Sequence, residues 1–72
     1  MFQNPNFQNE MREWLQDNFN ILPEVVNQFS SDEFDAFIIK LSMKECDAVN
    51  NNDETEAMFI AHILDYFVDN RP

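Results

Sequence analysis

The chain has 72 residues, a formal net charge of −10 and no glycine. Without glycine there is no Gly-rich dinucleotide or phosphate loop, no EF-hand loop and no Asn-Gly or Asp-Gly hairpin turn, so a tight antiparallel sheet is not expected. Fourteen Asp and Glu against four Lys and Arg disfavour direct contact with nucleic acid or anionic lipid and favour a basic partner.

The 44% apolar and 14% aromatic content belongs to a folded chain, and the length allows one domain. Asn4-Pro5 reads as a helix start, with Asn as N-cap and Pro in the first turn. Phe7, Met11, Trp14 and Leu15 then recur on one helical stripe, with Gln8, Glu10, Glu13 and Asp17 off it. The first helix is expected over 5–18, and Asn18 to Asn20 supply a left-handed stop in place of glycine.

Leu22-Pro23-Glu24 opens a short second helix over 23–29, with Val25, Val26 and Phe29 as its apolar face. An element this short needs packing to hold it. Ser30 and Glu33 are spaced as a capping box for a helix over 31–49. Phe34, Phe37, Ile38, Leu41, Ala48 and Val49 form its main face, and Ile39, Met43 and Cys46 form a second, nearly opposite patch. A helix apolar on two sides is either sandwiched or offers one side to a partner.

Asn50-Asn51-Asn52 ends that helix, and Asp53 with Glu56 forms a second box, D-x-x-E, for a helix over 54–69. Ala57, Ile60, Ala61, Leu64, Phe67 and Val68, widened by Phe59 and Ile63, give it a broad face suited to the centre of the fold. The expected architecture is all-α: a small single-domain bundle of three long helices plus one short helix, spanning 1–72.

Catalytic candidates are few. His62, Asp65, Tyr66 and Asp69 share one helix side, an arrangement in which a carboxylate orients an imidazole, but their reading is a solvated face. Cys46 lies between Glu45 and Asp47, where negative charge disfavours a thiolate, and reads as a small buried hydrophobe. Asp47, Asn50, Asn52, Asp53, Glu54 and Glu56 are rich in oxygen ligands. In an EF-hand register from Asn50, however, Thr55 stands where glycine is needed and Ala61 where glutamate is needed. No catalytic residue, metal or cofactor is therefore expected, and the chain is not read as an enzyme.

Ten aromatics are many for this length, so some of Phe2, Phe19 and Phe29 are expected to contact another chain together with the Ile39, Met43 and Cys46 patch. The expected partner-binding set is Asp32, Glu33, Asp35, Asp47, Asp53, Glu54, Glu56, Asp65 and Asp69, with Ile39 and Met43. The leading reading is a stoichiometric inhibitor or adaptor acting on a basic protein surface, such as a nucleic-acid-processing protein. A DNA mimic is one specific form, by analogy of composition with small phage-encoded inhibitors. The alternative is a structural homo-oligomer, a homodimer for example, with an aromatic self-association surface.

A single cysteine permits no internal disulfide, which fits a reducing cytoplasm. The first ten residues carry no signal-peptide pattern and no run is long enough to cross a bilayer. The initiator Met leads to the expectation of a complete small open reading frame.

Overall fold

The computed structural model describes residues 5–71, a range that leaves Phe2 and the predicted cap Asn4 outside it. Helix α1 runs Pro5–Phe19, α2 Pro23–Val26, α3 Ser31–Asn50 and α4 Glu54–Asp69, with no strand among the described residues. The protein is thus a small all-α bundle of three long helices and one short one.

Local chemistry sets the ends. Ser30 takes the extended conformation of an N-cap; its hydroxyl accepts from the Glu33 N–H at 3.3 Å, and the Glu33 carboxylate accepts from the Ser30 N–H at 2.9 Å. The stops use asparagine where glycine is usual. Among the described residues Asn20 and Asn52 have positive φ, at 54° and 59°. At the end of α3 the Asp53 N–H reaches the Ala48 carbonyl at 2.8 Å and the Asn52 N–H the Val49 carbonyl at 3.0 Å, the two bonds of a Schellman turn. Asn18 stays helical instead, its side chain donating to the Trp14 carbonyl at 2.9 Å.

Two expectations about helix ends are corrected. Helix α2 stops at Val26, because Gln28 and Phe29 donate to Val25 and Val26, three residues back, and the chain must then extend into Ser30. The α4 cap is half a box. Asp53 accepts from the Glu56 N–H at 3.1 Å, but the Glu56 carboxylate is turned away to Trp14.

Helices α3 and α4 make the principal helix–helix contact, as an antiparallel hairpin. Arg71, just past α4, meets Asp35 near the start of α3, while Ala48 and Ala57 pack together at the turn. Helix α1 packs against the hairpin through Phe7, Met11 and Leu15, and an Arg12–Glu24 ion pair ties it to α2. The main core joins Phe7, Met11 and Leu15 of α1 and Val26 of α2 to Phe34, Phe37 and Leu41 of α3 and Ile63 and Phe67 of α4. A smaller cluster of Ala48, Ala57 and Ile60 sits at the turn, and Trp14 and Leu64 bridge the two. Helix α4 therefore lines both.

The described aromatics pack on one another, either buried or half-buried. Phe7, Phe59, Trp14, Phe19, Phe37, Phe67 and Tyr66 form a continuous edge-to-face chain with centroid separations of 5.1 to 6.3 Å, and Phe29 joins at Phe37. Phe34 is capped by the Arg71 guanidinium, 5.1 Å above its ring. Phe19 and Phe29, candidates for a partner surface, are half-buried against this core.

Val49 and Val68, expected inside, are exposed. Each lies about a quarter-turn from the buried centre of its helix, where no neighbouring helix reaches.

Candidate functional site

Helix α3 is covered on one side only. Phe34, Phe37, Leu41 and Ala48 face the bundle, so the opposite side is left to solvent. Asp32, Ile39, Met43 and Cys46 recur there at i, i+7, i+11 and i+14, a stripe about 21 Å long at the helical rise. Ile39 is 60% and Met43 62% exposed. Cys46 is exposed as well, which corrects the buried reading: its position is set by the outward side of α3, not by its apolar character. Asp35 and Asp47 flank the stripe.

The predicted acidic residues divide into groups. Asp32, Asp35 and Asp47 lie with Ile39 and Met43 on α3, and Asp35 also pairs with Arg71 at 3.0 Å. Glu33 and Asp53 serve as helix caps, although both are exposed. The Ser30 backbone N–H, and after it the Ser30 hydroxyl, hold the Glu33 carboxyl below its ordinary range. Glu54 begins α4, and Asp65 and Asp69 lie exposed along it beside Met58. Glu56 stands apart, half-buried and accepting from Trp14 Nε1 at 3.1 Å. Of the residues grouped with His62, Asp65 and Asp69 face solvent, while His62 and Tyr66 are half-buried and Tyr66 packs on Phe67. Among the described residues no group of three or more His, Cys, Asp or Glu is placed to hold a metal ion.

A second acidic surface was not in the predicted set. Glu10, Glu13 and Asp17 run along α1 at i, i+3 and i+7 beside Trp14. Across from them lie Thr55, Glu56 and Phe59 at the start of α4, and together these residues line a shallow groove of about 350 Å³. The α1 spacing is readable in sequence; the meeting with α4, some forty positions away, is not.

Four cations face fourteen carboxylates, and two of them, exposed Lys40 and half-buried Lys44, lie on α3 beside Met43. Arg12 holds Glu24 through two bonds of 2.9 and 2.8 Å, and Arg71 holds Asp35. Each of the three long helices ends with no basic residue in its last turn, where Asp17, Asp47 and Asp69 stand instead. A carboxylate there opposes the helix dipole.

No described helix is long and apolar enough to cross a membrane. Comparison with protein-family models, curated proteins and solved structures returns no match.

Proposed function

We propose that this protein is a stoichiometric binding module, an inhibitor or adaptor without catalysis of its own, that docks on a basic partner protein. The carrying observation is the outward face of α3, where exposed Ile39 and Met43 stand among Asp32, Asp35 and Asp47. An apolar centre with a charged rim is the anatomy of a protein–protein contact, and a rim in which acidic residues outnumber the exposed Lys40 at its edge favours a partner of the opposite sign. The net charge of −10 adds long-range attraction to such a partner. Proteins that process nucleic acid carry the required cationic surface. On that surface a rigid row of carboxylates stands in for phosphates, in the manner of a phage-type inhibitor or DNA mimic. A cytoplasmic setting goes with this reading, since an exposed free Cys46 is kept reduced there.

The test is affinity capture from a lysate of the source organism. Wild-type protein is expected to retain a basic protein. The Ile39→Ser/Met43→Ser and Asp32→Asn/Asp47→Asn pairs are expected to lose it while remaining folded. Equal capture by wild type and both pairs sinks the proposal.

Self-association through the same face is the competing reading. A two-fold dimer there would bring Asp32, Asp35 and Asp47 of two copies together, with Lys40 and Lys44 too few to offset them, an arrangement that like charges oppose. Sedimentation is therefore expected to give a monomer at low salt, and a stable dimer would favour the structural role.

A further inference from the structure

We propose that the groove between α1 and the start of α4 seats an arginine side chain of a basic segment of the partner, its guanidinium against Trp14 and Phe59 and held by Glu10, Glu13 and Asp17. This inference rests on the basic-partner reading and adds to it a second contact, away from the α3 face.

The floor of the groove is aromatic and already fixed. Trp14 and Phe59 are half-buried, edge to face, with centroids 6.3 Å apart. The indole is held by its bond to Glu56 and by Phe19 at 5.6 Å, so little ordering remains to be done on binding. The wall is anionic and lacks a cation. No hydrogen bond or ion pair from the described residues reaches the carboxylates of Glu10, Glu13 or Asp17, and the neighbouring Arg12 pairs with Glu24.

These carboxylates also work against the helix that carries them. Glu10–Glu13 and Glu13–Asp17 are like-charge pairs at i,i+3 and i,i+4, and Asp17 lies at the negative end of α1. An incoming cation relieves both repulsions at once. Arginine fits better than lysine, because its planar guanidinium stacks on an aromatic face while its N–H groups reach carboxylates at the rim. The groove is shallow and open, which suits one side chain of a larger partner and not an enclosed small ligand.

Trp14 is the only tryptophan, so its emission reports occupancy of the groove. The intact protein is titrated at low ionic strength with synthetic alternating Arg-Ala, Lys-Ala and Gln-Ala peptides. The Arg-Ala peptide is expected to give a saturable change in Trp14 emission, the Lys-Ala peptide to bind more weakly and the Gln-Ala peptide to give none. Glu13→Gln/Asp17→Asn is expected to weaken Arg-Ala binding about tenfold, and the isocoulombic control Asp65→Asn/Asp69→Asn by less than roughly twofold. Circular dichroism confirms that both variants keep their helices. Equal weakening by the two pairs overturns the proposal in favour of a diffuse field. Weakening only on substitution of Asp32, Asp35 and Asp47 also overturns the groove and leaves the basic-partner reading standing. Absence of saturable peptide binding overturns the groove, and the capture experiment then decides the basic-partner reading separately.

Discussion

Glu56 separates a structural carboxylate from a binding one, and substitution at this position measures the difference. Its side chain accepts from Trp14 Nε1 at 3.1 Å in a half-buried setting and links α1 to α4 across 42 positions. Trp14 in turn bridges both core clusters, so this bond holds α1 over the hairpin. Glu56→Gln keeps an oxygen acceptor and removes the charge. It loses a first-turn carboxylate, which costs about 0.3–1 kcal/mol, but relieves repulsion from Glu10, Glu13 and Asp17 across the groove. The two effects oppose, and its stability is expected to stay within about 0.5 kcal/mol of wild type. Glu56→Ala removes the acceptor too and leaves the half-buried indole N–H unpaired. A hydrogen bond to a charged group is worth about 1.5–3 kcal/mol, and partial exposure lets water replace part of it. The gap between the Ala and Gln variants is therefore expected at about 1–2 kcal/mol, slightly reduced by the better helix propensity of alanine. At about 4–8 °C per kcal/mol for a domain this size, the two melting temperatures differ by several degrees. Urea denaturation followed by circular dichroism gives the free energies. In a Trp14→Phe background the gap between them should close. Equal stability of the Ala and Gln variants in the wild-type background would refute the assignment of Glu56 to the fold.

Asp17→Asn, Asp47→Asn and Asp69→Asn each remove a carboxylate from the unfavourable end of a helix, so each is expected to raise stability by about 0.3–1 kcal/mol, with a smaller gain at high salt. Ser30→Ala breaks the capping box and is expected to cost about 1 kcal/mol by chemical denaturation. Because folding lowers the Glu33 pKa, its contribution is full above the unfolded-state value and is lost as pH falls through the folded one. A Glu33→Gln variant should therefore show less loss of stability than wild type over that acidic window. Asn52→Ala places a Cβ without a compensating side chain at φ 59° and is expected to cost about 1 kcal/mol, whereas Asn52→Gly should be neutral or stabilising; melting curves distinguish them.

Features decided within a few residues were legible in the sequence. Ser30 with Glu33, the acceptor role of Asp53 and the stops near Asn20 and Asn52 depend on side chains and backbone that are already neighbours. Spacing likewise gave the buried stripes of the three long helices. Reading failed where the outcome depends on which element arrives from far along the chain. Cys46 and Val49 are apolar enough for a core, yet no helix covers the side of α3 that carries them. Phe19 and Phe29 sit at element ends, where exposure is the natural expectation, but Phe37 receives both rings. Glu56 matched a capping box until Trp14 offered a better donor. For the site, the patch of Ile39 and Met43 was visible as a second apolar face, whereas the groove of Glu10, Glu13 and Asp17 needed the start of α4 to complete it.

The zero-glycine composition with which the chain first presents itself ends in asparagine-stopped, side-chain-capped helices, a scaffold that holds charges at fixed positions. Fixed charges on one face make association with a basic partner strongly salt-dependent. The most direct measurement is the affinity for the captured partner between roughly 0.05 and 0.5 M salt, a range that shortens the screening length severalfold. A steep loss of affinity, carried mainly by the association rate, is the predicted result. An affinity unchanged across that range would contradict the electrostatic account.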